Sequence, residues 1–313
     1  MEVELTRYSH LVDPQLHVWG WEIPVYLFLG GVAAGMMIVA GALARRGDDG
    51  SAPTAVQFAL MVPVLLSIGM LALFFDLEYK AHVYRFYLAF MPTSPMSWGS
   101  WILLAVYPAS ALLGLAGAAP HSVQRWARWP LSGGEDGWLC RLHTWGMAHL
   151  PLMGNLNIAL GVSLGIYTGV LLGTLGAARP MWNSALLGPL FLLSGASTGM
   201  AAMMLAPIGA DIHHKLRRWD LGAIGAELIL LGLFLIGLLV GGGTDGRASA
   251  QLLLGGAYTA PFFAIVVVAG LLVPFCMAWV EGARQLAPTR VAPLLVLAGG
   301  LGLRWILVMA GQA

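Results

Sequence analysis

The sequence predicts an all-α membrane protein with eight transmembrane helices. The chain of 313 residues is 58% hydrophobic and only 10% charged, whereas soluble domains carry about 25% charged residues. Eight apolar runs reach the length of about 20 residues that a helix needs to cross a bilayer. A segment in lipid must satisfy its own backbone hydrogen bonds, which favours helices over the shorter, alternating strands of a barrel.

Connectors that are polar, charged or rich in proline and glycine separate the eight predicted spans. The spans cover residues 24–44, 55–79, 98–119, 149–175, 184–207, 221–241, 257–280 and 291–311. The connectors include "RRGDDG", "MPTSPMS", "HHKLRRWD" and "GGGTDGRAS". The polar N-terminal stretch "MEVELTRYSHLVDPQ" does not read as a cleavable signal peptide, so we expect the first span to direct insertion.

Glycines recur at a four-residue spacing in the first, fourth and fifth spans, which predicts close helix packing. The fourth span reads "GVSLGIYTGVLLG", and "GGVAAGM" in the first resembles "SGASTGM" in the fifth. The first and fifth spans cross the membrane in the same direction, because they are four spans apart. The repeat therefore favours two halves that have the same orientation in the membrane. We expect one integral membrane domain, residues 1–313, made of two four-helix bundles, residues 1–175 and 176–313.

The Lys and Arg residues of the connectors predict the orientation, because basic residues are enriched on the cytoplasmic side. With eight spans, both termini lie on one face. The opposite face carries ten basic residues: Arg45, Arg46, Arg125, Arg128, Arg141, Lys215, Arg217, Arg218, Arg284 and Arg290. The face of the termini carries five: Arg7, Lys80, Arg85, Arg179 and Arg247. We therefore expect a multi-pass protein of the bacterial cytoplasmic membrane with both termini on the periplasmic side.

Three ionisable residues fall inside predicted spans, where such groups are rare and usually functional. Asp76 lies near the outer end of the second span, and Arg304 lies in the outer half of the eighth. Glu227 lies about two turns into the sixth span from the cytoplasmic side. Three alternatives stay open: an interfacial role for Asp76, contact of Glu227 with its own basic connector, and an Arg304 side chain that extends to the membrane interface. We expect Arg304 to pair with Asp76, and all three residues to form part of a proton path.

Polar side chains gather at the outer ends of the spans. They are Asp13, His17, Trp19, Trp21, Glu22, Asp76, Glu78, Lys80, His82, Arg85, Tyr167, Arg179, Trp182 and Asn183. A quinone head group needs an apolar slot and a hydrogen-bond donor for each of its two oxygens. Histidine, with an unperturbed pKa of about 6.5, also exchanges protons near neutral pH, and tyrosine is a second donor. The predicted quinone-binding residues are His17, Tyr167, Asp13, Trp21, Asp76 and Arg179. An interfacial cluster without a ligand is the alternative.

Other motifs are interpreted without a ligand. "GGGTDG" has the spacing of a dinucleotide-binding loop, but no strand is predicted before it and no soluble helix after it, so we interpret it as a linker. His213 and His214 are predicted to begin a basic cytoplasmic loop. Tryptophans near span ends are interpreted as belt residues at the membrane interface; they include Trp98, Trp101, Trp182 and Trp219.

Five motifs are spread over essentially the whole chain. They are "WGWEIPVYLFLGGVAAG" at 19–35, "SPMSWGSW" at 94–101, "GVSLGIYTGVLLG" at 161–173, "MWNSALLGPLFLLSGASTG" at 181–199 and "LRWILVMAGQ" at 303–312. In these motifs and in their order, the sequence resembles the NrfD/polysulfide-reductase membrane subunit family.

The resemblance implies two four-helix bundles and no haem or iron–sulfur cluster in this chain. It implies electron transfer between membrane menaquinone or ubiquinone and a peripheral, ferredoxin-like iron–sulfur subunit on the face of the termini. That subunit would serve a molybdopterin catalytic subunit or a multihaem cytochrome. The family's quinone pocket would match His17 before "WGW", Tyr167 in "GIYTG" and Asp13, which stands where an amide is expected.

Several other classes fit the residues less well. Two cysteines, Cys140 and Cys276, are too few for a four-thiolate cluster, and a net charge of +1 disfavours nucleic acid. A dihaem cytochrome b anchor needs paired histidines deep in facing helices, but all eight are predicted at span ends or in connectors: His10, His17, His82, His121, His143, His149, His213 and His214. A secondary transporter or ion-conducting protein places polar groups near the midplane, whereas this cluster lies on one face.

Overall fold

The computed structural model describes residues 19–46, 55–77, 79–88, 90–128, 137–174, 180–241, 243–284 and 286–312. Within these ranges the chain is helical and contains no strand. Eight of its helices are long and apolar enough to cross a membrane, which confirms the predicted number. They are numbered here as spans 1 to 8: Glu22–Arg45, Gln57–Asp76, Pro95–Ala116, Leu150–Thr174, Leu187–Met204, Ala210–Gly241, Thr259–Arg284 and Val291–Ala310.

Span 6 begins earlier than the sequence predicted. The connector "HHKLRRWD" is helical, so His213 and His214 lie in the first turns of a helix of 32 residues rather than in a loop. The hydropathy pattern fails here because the charged side chains end the apolar run although the backbone continues as a helix. Glu227 therefore lies about 25 Å from the start of this helix, although its position relative to the start of the apolar run is as predicted from the sequence.

The interpretation of "GGGTDG" as a linker is also wrong. A helix, Gly243–Leu254, begins inside this motif and packs on span 6 and span 8. Gly243 has a φ of 62°, a left-handed conformation that glycine adopts without strain. The preceding element is span 6, so the strand that a dinucleotide-binding loop requires is not present in this part of the structure.

Short helices also lie in two other connectors. Residues Arg85–Leu88 form one turn after span 2. Between spans 3 and 4, Pro120–Ala127 packs on Trp138–Ala148, which in turn packs on span 3. Proline in the first turn starts both Pro120–Ala127 and span 3, where its missing N–H leaves no helical hydrogen bond unmade.

Span 1 lies at the centre of the packing. It contacts spans 2, 4, 5 and 8, and span 4 contacts spans 3 and 5. In the second half of the chain, span 5 contacts spans 6 and 8, and span 7 contacts span 8. The buried core therefore runs along span 1 and continues to spans 5 and 8.

Glycine allows span 1 and span 5 to approach closely at the repeated motif. A Cβ built on Gly195 would lie 2.8 Å from the carbonyl oxygen of Gly31, and one built on Gly199 would lie 2.6 Å from the carbonyl carbon of Gly35. Both distances are too short for any larger residue, so the two backbones touch. The matching residues of "GGVAAG" and "SGASTG" face each other in this contact.

Candidate functional site

The structure describes three of the six predicted quinone-binding residues: Tyr167, Trp21 and Asp76. His17, Asp13 and Arg179 lie outside the described residues, so their roles stay predictions.

Tyr167 occupies a site that a glycine of span 3 makes possible. The Tyr167 side chain is buried in span 4, with only 6% of its surface exposed. A Cβ built on Gly99 would overlap the hydroxyl and the ring of Tyr167. The missing side chain at Gly99 therefore provides the space for the phenol, which explains why a glycine stands in "SPMSWGSW".

One further tyrosine approaches Tyr167, and a third approaches that one. Tyr26 of span 1 is buried and lies close enough to Tyr167 and Tyr87 for electrostatic interaction. Tyr87 belongs to the short helix Arg85–Leu88 and is half-buried. Partial burial, with a smaller effect from Tyr107, raises the pKa of Tyr87. We call Tyr26, Tyr87 and Tyr167 the tyrosine cluster.

Sequence analysis missed Tyr26 and Tyr87. Tyr26 follows Glu22 by four residues in "WGWEIPVY", a spacing that places both side chains on one face of a helix. That spacing is the signal that could have found Tyr26. Tyr87 lies in a connector whose path the sequence pattern does not define.

Two carboxylates lie nearer to the face of the termini. Glu22 is in the first turn of span 1, Asp76 is the last residue of span 2, and the two interact electrostatically. Glu22 is one turn from Tyr26, and Asp76 is two turns from Gly69, where a Cβ would lie 3.6 Å from the Tyr26 ring. Glu22, Asp76 and the phenol of Tyr26 therefore lie along the contact between spans 1 and 2.

The two tryptophans before span 1 have different environments. Trp21 is 50% exposed, as expected for a residue at the mouth of the site or in the interfacial belt. Trp19 stacks on Trp182 with 5.1 Å between the ring centroids. Its backbone N–H donates to Oε1 of Gln312 at 2.9 Å, and its carbonyl accepts from Nε2 of Gln312 at 3.1 Å.

Trp182 is not a belt residue, which corrects the interpretation from the sequence. Its side chain is 4% exposed, and its indole Nε1 donates to the carbonyl oxygen of Leu307 at 2.9 Å. Trp182 and Gln312 therefore hold the segment before span 1 against the end of span 8.

Arg304 forms the centre of a second polar site, deep between spans 1, 5 and 8. Its side chain has no exposed surface. The guanidinium donates to the carbonyl oxygens of Leu27, Gly300 and Phe191 and to the hydroxyl of Ser194, at 2.9–3.3 Å. This set of acceptors satisfies the buried cation in the way that a lipid-embedded arginine requires.

The expected pairing of Arg304 with Asp76 is wrong. The carboxylate that interacts with Arg304 belongs to Glu227 of span 6, which also faces the Ser194 hydroxyl. Asp76 is exposed. The hydropathy pattern placed Arg304 and Asp76 at similar depth, but the helix packing directs Arg304 towards spans 5 and 6.

Asp220 extends this polar site towards the basic face, the face opposite the termini. It is buried in span 6 and accepts a hydrogen bond from the Ser197 hydroxyl at 2.6 Å. Glu227 and Asp220 lie two turns apart on one face of span 6 and interact electrostatically. Sequence analysis missed Asp220 because it ends "HHKLRRWD", which was interpreted as a connector.

The hydroxyls of span 5 also come from a motif that sequence analysis noted for another reason. Ser194, Ser197 and Thr198 are the polar residues of "SGASTG", the motif of the internal repeat. We call Asp220, Glu227, Arg304, Ser194 and Ser197 the buried polar line. Among the described residues, no group of three or more His, Cys, Asp and Glu side chains could hold a metal ion.

Comparison with known proteins gives a match over nearly the whole sequence. Residues 10–313 match the family model described as polysulphide reductase, NrfD. The protein is 32% identical to protein NrfD of Escherichia coli strain K12 over 311 residues, which cover 94% of this sequence and 95% of that protein. It is 28% identical to the C subunit of polysulfide reductase from Wolinella succinogenes over 309 residues, 94% of each protein. A third relative, the NrfD homolog of Haemophilus influenzae, is 33% identical over 164 residues, 49% of this sequence and 50% of that protein.

Proposed function

Because the chain belongs to the polysulphide reductase NrfD family, we propose that it is the quinone-reactive membrane subunit of a respiratory oxidoreductase complex. It passes electrons between the quinone pool of the bacterial cytoplasmic membrane and a peripheral subunit. The observation that carries the proposal is the tyrosine cluster, held at one end of the helices by Gly99 and followed by two carboxylates.

The residues of this site suit a quinone head group. A bound quinol supplies two electrons and two protons. Tyr167 donates a hydrogen bond to one quinol oxygen, and an unprotonated ring nitrogen of His17 accepts one from the other hydroxyl, while the apolar walls of spans 1 to 4 exclude water. His17 takes up one proton near neutral pH, and Glu22 and Asp76 pass protons to the face of the termini. Trp21, Asp13 and Arg179 complete the mouth of this site.

The partners follow from the same proposal. By analogy with the family, electrons leave to a ferredoxin-like iron–sulfur subunit. That subunit docks on the face of the termini, which the distribution of Lys and Arg assigns to the periplasm. A molybdopterin subunit or a multihaem cytochrome carries out the terminal reaction. Spans 1 to 4 and spans 5 to 8 then form the two four-helix bundles, with the quinone site in the first.

The buried polar line suits proton transfer through the second bundle. Asp220, Glu227 and Arg304 follow one another from the basic face towards the middle of the helices, and Ser194 and Ser197 lie between them. Asp76 stands at the other end, near the proposed quinone site. We propose that protons move along this line when the quinone site turns over.

Substitutions in the intact complex test the quinone site. His17→Ala should lower quinone-linked turnover by about 100-fold, the contribution typical of a proton-transferring group. Tyr167→Phe should lower it by about tenfold, as one lost hydrogen bond implies. Tyr258→Phe, a half-buried tyrosine between spans 6 and 7, is the matched control. Dye-linked activity of the catalytic subunit should be unchanged throughout. Unchanged quinone kinetics in His17→Ala would refute this assignment.

Proteoliposomes test the proton path. Glu227→Gln keeps the shape of the side chain but removes its titration, so quinone turnover should continue while proton translocation per electron falls. Asp245→Asn, in the helix Gly243–Leu254, is the control and should translocate normally. If Glu227→Gln translocates at the full ratio, protons do not use this line.

The depth of Arg304 and Glu227 also favours a second candidate function, a secondary transporter or ion-conducting protein, since transporters place polar groups near the midplane. The two functions differ in what drives proton movement. Proton flux that depends on quinol oxidation supports the quinone-reactive subunit, whereas flux that continues without any redox reaction supports the transporter.

A further inference from the structure

A cationic pocket lies at the basic face, where span 6 begins and span 7 ends. It has a volume of about 510 Å³, and its polar lining comes from His214, Arg217 and Arg218 of span 6. Span 7 contributes Trp279 and Gly282. The described lining contains no carboxylate, so the pocket is positive.

Arg217 is the unusual residue of this pocket. Its side chain is only 6% exposed, and Nη2 lies 3.0 Å from Nδ1 of His214. Nε and Nη1 are buried and have no hydrogen-bond partner in the described part of the chain. Leaving a buried cation with unpaired donors is costly, which indicates that these nitrogens bind something from outside the chain.

The buried carboxylates nearby have other hydrogen-bond partners, since Asp220 accepts from Ser197. Glu281 of span 7 is 6% exposed, and its Oε1 accepts hydrogen bonds from the N–H and the hydroxyl of Thr289 at 3.1 and 2.8 Å. Glu281 interacts electrostatically with His213. The hydrogen bonds of this carboxylate therefore go to the turn before span 8 and leave Nε and Nη1 of Arg217 without a partner among the described residues.

The environment of the pocket indicates the kind of ligand. A phosphate group carries several acceptor oxygens and negative charge, the chemistry that arginine side chains bind best. Trp279 at the rim is 63% exposed, as expected for a tryptophan at the level of lipid head groups. Basic pockets between helices at the cytoplasmic side of a membrane suit the head groups of anionic lipids.

We propose that this pocket binds the phosphate of an anionic phospholipid head group through Arg217 and Arg218, with Trp279 against the glycerol and upper acyl region. The site is distinct from the tyrosine cluster and from the buried polar line, and the proposal does not depend on the proposed redox function.

The test uses the purified full-length protein in nanodiscs of phosphatidylcholine, with and without phosphatidylglycerol. Native mass spectrometry counts the phosphatidylglycerol that the protein retains, and thermal unfolding measures stabilisation. The wild type should retain the anionic lipid and unfold at higher temperature when it is present. Arg217→Gln should reduce retention by about tenfold, the effect of losing charge-assisted hydrogen bonds.

Further variants keep the result interpretable. Arg290→Gln removes an exposed arginine of the same face and should behave as the wild type. Arg217→Lys keeps the charge and should retain an intermediate amount of lipid, and Arg218→Gln a reduced amount, so the proposal is tested even if Arg217→Gln fails to fold.

A third arm adds inorganic phosphate to phosphatidylcholine nanodiscs. Equal stabilisation by phosphate and by phosphatidylglycerol would assign the pocket to free phosphate and overturn the lipid. Equal lipid retention in all variants would overturn the site.

Discussion

Gly99 and Tyr167 show how a single missing side chain shapes the proposed quinone site. The phenol of Tyr167 fills the volume that a Cβ on Gly99 would take, so the position of the hydroxyl depends on a residue of the neighbouring helix. The tyrosine cannot move outward without leaving its buried position between spans 3 and 4.

Gly99→Ala should therefore displace Tyr167 and lower quinone-linked turnover of the intact complex by about tenfold or more, because a misplaced hydrogen-bond donor loses its contribution. The turnover and the quinone KM measure the effect. Gly222→Ala is the control, since a Cβ on Gly222 meets nothing within 4 Å. Normal turnover in Gly99→Ala would show that the hydroxyl of Tyr167 is not used.

The residues that the sequence predicted and those that it did not predict differ in the polarity of their neighbours in the sequence. Tyr167, Glu227 and Arg304 were recognisable because a polar group in an apolar run is conspicuous. Asp220 lies among other charged residues in the sequence, so it was not recognised as a buried group. Tyrosine is a frequent residue near the ends of spans, so Tyr26 was not recognised as part of a site. The wrong partner for Arg304 arose because depth along a helix can be estimated from the sequence, but the direction in which a side chain points depends on the packing.

At the level of helices, hydropathy predicted seven spans to within about four residues at either end, as an apolar run of membrane length permits. It failed at the start of span 6, where the helix extends through charged residues beyond the apolar run. It also missed the helix Gly243–Leu254, which is too short to span a bilayer and begins with the polar residues "GTDGR". Hydropathy predicts which residues lie in lipid. The ends of a helix depend instead on where its backbone hydrogen bonds end, which can be beyond the apolar run.

The contact between spans 1 and 5 gives a prediction at this scale. A Cβ on Gly35 would overlap the backbone at Gly195, and backbone cannot rotate away as a side chain can. Gly35→Ala should therefore destabilise the protein by about 2 kcal/mol, as overpacking does. Thermal unfolding in detergent measures the change.

The control for this experiment is Gly232→Ala in span 6, where a Cβ meets nothing within 4 Å. Alanine is the better helix former by about 1 kcal/mol, so this variant should unfold at the same or a higher temperature. A Gly35→Ala protein as stable as Gly232→Ala would mean that spans 1 and 5 do not touch as described.

At the level of the whole molecule, the two halves of the chain share their interior. Gly31 faces Gly195, Gly35 faces Gly199, and the two pairs are separated by the same number of residues. Arg304 of the second half donates to the Leu27 carbonyl of the first. The repeat that the sequence suggested is thus the surface along which the halves meet.

Residues 1–175 and 176–313, produced as separate polypeptides in the same cell, should therefore assemble and co-purify. Each half produced alone should be degraded or aggregate, because its glycine face and its polar groups would meet lipid. Co-purification through a tag on one half measures assembly, and Gly35→Ala in the first half should weaken it. Halves that are stable and monomeric on their own would contradict this prediction.

Arg304 also has a consequence for biosynthesis. A helix with an arginine in its interior enters the lipid reluctantly, at a cost of about 2.5–3.5 kcal/mol at its centre. The carbonyl oxygens and the hydroxyl that accept from Arg304 belong largely to spans 1 and 5, which leave the ribosome before span 8. When the translocon releases span 8, spans 1 and 5 are already in the membrane with the acceptors for Arg304. The order of synthesis therefore favours the insertion of span 8.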